Sequence, residues 1–105
     1  MIESILKQAG IPAKQGRFPD PPSKTFAVWF DSVSADGADR MNLIRTHAAT
    51  VELYEPKRDN ASEEAIEAVL DGLGIPWEKQ DRMWLDAVGR YQVIYEFDFI
   101  EKRRI

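Results

Sequence analysis

Apolar residues recur along this chain at two periods, one helical and one extended. Ile2, Ile5, Leu6 and Ala9 share a face at helical spacing, so 2–9 read as a short helix. Gly10 stops it, Ile11 folds back on its last turn, and Pro12 cannot continue it. Residues 12–24 hold Pro12, Pro19, Pro21 and Pro22 and read as an extended surface connection, because proline lacks the amide that a helix or central strand needs. "TFAVWFDSV" at 25–33 is rich in aromatic and β-branched residues and reads as a strand, followed by a polar loop, "SADGAD". Residues 43–54 read as a second strand that alternates at its end, with Thr50, Glu52 and Tyr54 on one side and Val51 and Leu53 on the other. A second helix starts at an Asn60 or Ser62 cap, with Glu63 and Glu64 in its first turn where the helix dipole favours acids. Ala65, Ile66, Val69, Leu70 and Leu73 form its apolar stripe, and Glu63, Glu64, Glu67 and Asp71 lie off it. Of these, Ile66, Val69, Leu70 and Leu73 are expected to be buried against a sheet. Residues 77–85 read as a weaker strand and "LDAVGR" as a turn. Residues 90–100 are a long strand with Tyr91, Val93, Tyr95, Phe97 and Phe99 on one face and Gln92, Glu96 and Asp98 opposite. The predicted order is αββαββ.

Two stretches read almost alike: "LKQAGIPAKQ" at 6–15 and "LDGLGIPWEKQ" at 70–80. Each Gly-Ile-Pro falls where a helix hands over to a strand, and glycine's access to the left-handed conformation accounts for both copies without a ligand. The two units share little else, which favours common folding grammar and leaves a duplication open. Neither copy has the further glycines or the Gly-Lys-Ser/Thr ending of a phosphate-cradling loop.

Composition narrows the classes. The chain has 105 residues, 44% hydrophobic and 30% charged, enough for one domain with a core. No apolar run approaches the ~20 residues of a membrane helix, and the opening "MIESILKQAG", with Glu3 and no basic region before an apolar stretch, does not read as a signal peptide. There is no cysteine, so disulfides and thiolate metal sites are excluded, and a cytosolic setting is favoured. The net charge of −4 argues against nonspecific DNA binding by the whole surface, which normally needs a basic one. Positive charge does gather in Lys102, Arg103 and Arg104, read here as a solvated polar tail.

Candidate chemistry is sparse. His47 is the single histidine and lies within a predicted strand, where a structural role is the plainer reading. Zinc would need further nitrogen or sulfur ligands, and no second histidine or cysteine supplies them. No Gly-x-Ser-x-Gly elbow accompanies His47. Asp36 and Asp39 do not have the spacing of a calcium loop and read as a polar turn. The aromatics of 91–99 could stack RNA bases, but they share a face with Val93, which suits a core under two helices, and αββαββ is not the βαββαβ order of the RNA-binding sheet. No metal, no cofactor and no catalytic residue is therefore expected. The loop at 34–42 is polar, long for a hairpin and carries both charge signs, which suits a contact between subunits.

Taken together, the short opening helix, the Pro-rich passage, "TFAVWFD", the "ADGAD" loop, "THAATVELYEP" running into "KRDNASEEAIEAVLDGLGIPW", and the closing "RYQVIYEFDFIEK" resemble the tail-terminator (tail-completion) proteins of long-tailed phages and prophages, the broad group of the lambda-like minor tail protein U. The resemblance covers nearly the whole chain and rests on structural patterns without a catalytic signature. It implies an α+β fold, a mostly antiparallel four-stranded sheet with two helices on one face. It also implies a non-enzymatic virion-assembly role, a homo-oligomeric ring, commonly six-fold, that caps the tail tube. Its partners would be copies of itself, the major tail tube protein and the head–tail connector, with DNA passing through unbound and no membrane involved. Such a protein would sit in the virion tail and assemble in the bacterial cytoplasm. Contacts are expected through Asp36, Asp39, Arg40, the strand edges, Arg103 and Arg104. The alternatives are a head-completion or adaptor protein of the connector, and a ferredoxin-like regulatory or ligand-binding domain.

Overall fold

The computed structural model describes residues 1–36 and 42–104. Its elements are α1 (Ile2–Gln8), β1 (Ala13–Gln15), β2 (Phe26–Asp36), β3 (Asn42–Glu55), α2 (Asn60–Gly72), β4 (Trp77–Lys79), β5 (Met83–Leu85) and β6 (Arg90–Arg104). The fold is α+β, with both helices packed on one face of the sheet.

The sheet differs from the four-stranded antiparallel one expected. It has six strands in the order β1-β2-β3-β6-β4, with β5 also paired to β6, and it is mixed because β1 runs parallel to β2. The additional strand β1 comes from the proline-rich passage read as a connection: between Pro12 and Pro19 the backbone is free to pair, and Ala13, Lys14 and Gln15 lie beside Ala27, Val28 and Trp29. The single weak strand expected at 77–85 is two three-residue strands on successive parts of β6. Both long strands also run beyond their expected limits. β2 continues through Asp36 into the expected loop, and β6 continues to Arg104, so the basic end read as a tail is the last part of a strand.

Alternation along β3 and β6 sets the layers, since successive side chains point to opposite faces. Ala49, Val51 and Leu53 of β3 and Val93, Tyr95 and Phe97 of β6 face the helices and are buried, together with Ala27 of β2. Ile2, Ile5 and Leu6 of α1 and Ile66 and Leu70 of α2 close this core. Val69 packs at its margin. Leu73 departs from the expected stripe: it is 49% exposed. It caps the helix just past the last turn, where the chain turns towards β4. Glu63, placed off the stripe by its charge, is buried.

Both helices end the same way. Gly10 (φ 76°) and Gly74 (φ 70°) take the left-handed conformation. Ile11 N–H donates to Leu6 O and Gly10 N–H to Lys7 O, and Ile75 N–H donates to Leu70 O and Gly74 N–H to Asp71 O. These are two copies of the Schellman closure, which satisfies carbonyls left over at a helix end. The recurrent Gly-Ile-Pro is thus explained by backbone hydrogen bonding in each copy. The start of α2 corrects the expected cap. Asp59, not Asn60 or Ser62, is the cap residue. Its carboxylate accepts from Ser62 N–H (3.1 Å), from the Ser62 hydroxyl (2.6 Å) and from the Thr25 hydroxyl (2.6 Å). A carboxylate there also meets the positive end of the helix dipole, and these hydrogen bonds hold Asp59 below its usual pKa against the opposing effect of burial.

Strand and helix lengths decide what the core leaves bare. β3 and β6 have 14 and 15 residues, about 45–50 Å at ~3.3 Å per residue, and the molecule is 50 Å long. α2 has 13 residues, or about 20 Å at ~1.5 Å per residue. α2 therefore covers less than half the length of the sheet; α1 adds about 10 Å of helix at ~1.5 Å per residue and reaches the groove beside His47, and beyond both the sheet projects as β2, β3 and β6 alone.

Candidate functional site

On the helix side of the projecting half, the inward register continues past Ala49 and Phe97 to Asp31, His47, Phe99 and Glu101. The His47 ring lies flat against Phe99, with centroids 4.5 Å apart and planes inclined by 6°. Its Nδ1 is 2.8 Å from Asp31 Oδ2 and its Nε2 is 3.1 Å from Glu101 Oε1. The Asp31 hydrogen bond is the main reason that the His47 pKa is raised; burial works the other way, and Glu101 adds to the rise. With each nitrogen against a carboxylate, the protonated ring donates on both sides and has no lone pair left to accept a proton, so this geometry does not make His47 a general base. Its place is structural: it spans β2, β3 and β6 where the helical layer ends. A groove of about 270 Å³ beside it is lined by Met1, Ile2, Trp29, Asp31, His47 and Phe99. Among the described residues, no group of three or more histidines and acids is placed to hold a metal ion.

The interface residues expected from sequence collect at the far end of this half. Asp36 ends β2 opposite Ile44 of β3, whereas Arg103 and Arg104 end β6 opposite Leu43 and Asn42 of the same strand. The sheet thus brings Asp36 and the two arginines to one end, on either side of β3. Asp39 and Arg40 lie outside the described residues. Composition did not reveal the outer edges of this half. β1 accompanies β2 only as far as Trp29, and β4 accompanies β6 only as far as Phe97. Beyond these points no described strand lies on the side of 30–36 or 98–104 away from β3. Sequence held no clear signal for the last part of β6: the alternation ends at Phe99, since Ile100 is apolar and Glu101 and Lys102 are both polar.

A second polar cluster lies under α2, where sequence reasoning placed nothing. Glu55, at the end of β3, and Glu63 are both buried. Arg82, in the connection between β4 and β5, donates from Nε to Glu55 Oε1 (3.1 Å) and from its terminal nitrogen to Glu63 Oε2 and to Asn60 Oδ1. Lys79 Nζ meets Glu63 Oε1 (2.8 Å) and Glu67 Oε2 (2.9 Å). The Tyr95 hydroxyl donates to Glu67 Oε2 at 2.5 Å. Burial, then that hydrogen bond, pushes the Tyr95 pKa far up. The cluster fastens β4 and its connection to the helix. Glu55 Oε2 is buried without an ordinary donor, and its neighbour is the Glu63 carboxyl. Burial and that neighbour push the Glu55 pKa up to about 7. Glu63 moves the other way: its bonds to Glu55, Lys79 and Arg82 outweigh burial and hold it low. A protonated Glu55 donating to an ionised Glu63 satisfies both groups.

The sign of the resulting pH dependence follows. A folded pKa above the ordinary 4.5 means that the folded chain holds the proton more tightly, so the Glu55 contribution is full below 4.5 and is lost as pH rises through about 7. His47, also raised, adds a loss that starts above 6.5. Glu55→Gln presents an amide N–H to Glu63 at every pH and keeps the oxygen that Arg82 and the Asp59 amide use. In urea melts from pH 5 to pH 8 the native chain is expected to lose stability and Glu55→Gln to lose less. Parallel curves for the two proteins would show that Glu55 does not hold this proton.

No protein-family model matches the chain, and no curated protein matches it either. Among solved structures, its fold is similar to that of a chain in the virion of a native gene transfer agent particle. The TM-score is 0.57 and the sequence identity 12%, and the match covers 90% of this chain and 81% of that one. At that identity the similarity establishes a shared fold.

Proposed function

We propose that this chain is a virion assembly protein of a tailed, phage-like particle, one that caps the tail tube and joins it to the head as a homo-oligomeric ring and has no enzymatic activity. The observation that carries this reading is the fold similarity to a chain of a gene transfer agent virion over most of both chains, together with the sequence resemblance to tail terminators. The geometry suits such a subunit. The half of the sheet beyond the helices adds little to the core besides Phe99, yet it keeps 11-, 14- and 15-residue strands in register, as expected of a docking element. A net charge of −4 suits a ring through which DNA must slide, because an acidic lumen repels phosphate where a basic one would hold it in a salt-dependent way. The partners in this reading are further copies of the chain, the major tail tube protein and the head–tail connector.

Deletion of the gene tests it. Electron micrographs of the resulting lysate are expected to show tails of irregular length and heads without tails. Infectious particles with normal tails would overturn the reading. Filled heads that leak DNA beside tails of normal length would assign the chain to the head side of the junction.

A further inference from the structure

We infer that the open edge of β6 in one copy pairs, head to tail, with the open edge of β2 in a second copy of this chain. The two edges match in length, direction and charge. Beyond their last partners, β2 offers 30–36 and β6 offers 98–104, seven residues each. Both strands are antiparallel to β3 and so parallel to each other, and a copy added in the same orientation meets β6 with a parallel β2. Natural sheets usually shield such edges with a bulge, a proline or a covering element, and among the described residues neither edge has a strand beside it.

Within one copy, Phe30 lies level with Glu96, and Asp36 with Lys102, across β3. Pairing all seven residues therefore requires a stagger of two, with Phe30 opposite Asp98 and Asp36 opposite Arg104. A shift of two keeps each face of the sheet continuous between copies, whereas a shift of one would turn every side chain to the wrong face. On the face away from the helices, this register sets Ser32 opposite Ile100, with Phe30 diagonal to it. Phe30 and Ile100 are 41% and 65% exposed and so present apolar surface that the subunit itself leaves uncovered. The charges agree at the far end: the β2 segment carries Asp31 and Asp36 and no base, and the β6 segment, which also holds Asp98 and Glu101, ends in Lys102, Arg103 and Arg104, so Asp36 meets the basic end. Just before the β6 edge begins, a groove of about 500 Å³ lined by Pro76, Trp77, Glu78 and Asp98 leaves room for the start of an incoming strand. A stagger of two repeated at each contact shifts every copy by about 7 Å along the strands, the kind of shear that lets paired strands close on themselves. Such a heterologous contact makes a ring when its rotation closes.

The native chain has no cysteine, which permits a direct test on the full-length protein. Ser32 and Ile100 are exposed, so Ser32→Cys and Ile100→Cys leave the core intact. Mixed as two single variants and oxidised at high concentration, they are expected to give a mixed disulfide dimer several-fold above the control pair Ser32→Cys with Glu64→Cys, the latter exposed on α2. A yield no higher than the control overturns the contact. Preferential self-coupling of Ser32→Cys also overturns it, since that would mean a two-fold pairing of β2 edges. Ser32→Lys with Ile100→Lys is expected to weaken association in sedimentation, and Ser32→Glu with Ile100→Lys to restore it; unchanged association in the double-lysine protein counts against the register. This contact deepens the reading of the chain as an assembly subunit, and the two fail separately. Normal particles without the gene remove the virion role whatever the crosslinks show. Absent crosslinks remove the edge contact and leave the virion role standing.

Discussion

Replacing Arg82 by alanine is expected to destabilise the fold by about 3 kcal/mol or more, at the low end of the ~3–5 kcal/mol seen when one partner of a buried ion pair is removed. Arg82 is itself partly exposed, but the carboxylates that it serves are not: the Glu55 side chain is 0% and the Glu63 side chain 4% exposed. Without the guanidinium, Glu55 Oε1 keeps only the Asp59 amide, and Glu63 keeps Lys79 as its one cation. The low end applies because a buried carboxyl without a counter-charge takes up a proton. That escape gives the prediction its second signature: the penalty should be larger at pH 8 than at pH 5, because protonation relieves it in acid. Arg82→Lys keeps the charge but loses the planar fork that reaches both acids, and it is expected to fall between. Urea melts at the two pH values decide the matter. A loss below about 1 kcal/mol at pH 8 would place this arginine among ordinary surface ion pairs.

Leu70→Ala is expected to cost about 2–5 kcal/mol, the range for truncating a large buried aliphatic side chain. Leu70 is fully buried in the cluster that joins α2 to Leu53, Val93 and Tyr95. The span reflects how far the helix can settle into the cavity, and here the Schellman closure and the Glu63 cluster bracket α2 at its two ends and limit that settling. Leu73→Ala is the paired control. This residue belongs to the same sequence stripe but is half exposed, so its loss should stay within about 1 kcal/mol, as for most surface substitutions. Equal effects at the two positions would mean that the far end of α2 packs as the periodicity alone expected.

Local pattern was enough to determine that the two helices and the three long strands exist, and which faces of α2 and β6 are buried, though not where β2 and β6 end. A 3.6-residue stripe and a two-residue alternation are properties of neighbouring residues, and Ile66/Leu70 and Val93/Tyr95/Phe97 followed them. The Gly-Ile-Pro turns were legible for the same reason, since the closure is made by residues within one helical turn. The candidate site was legible only in part. Asp36, Arg103 and Arg104 could be named from charge, but that they flank one strand at one end of the sheet depends on the register of β2 and β6 against β3. The rest needed tertiary structure. Three-residue strands such as β1, β4 and β5 have too few residues to show a period, and they exist because β2 and β6 offer edges to pair with. Burial of Glu55 and Glu63 contradicts their residue type and is tolerated because Arg82 and Lys79, distant in sequence, arrive over them. Asp59 caps α2 through the nearby Ser62 amide, and only the fold adds the Thr25 hydroxyl, 34 residues away, to its carboxylate. The bare end of the sheet is a difference in length, 50 Å of strand against helices of about 20 Å and about 10 Å, and only the folded chain sets one against the other.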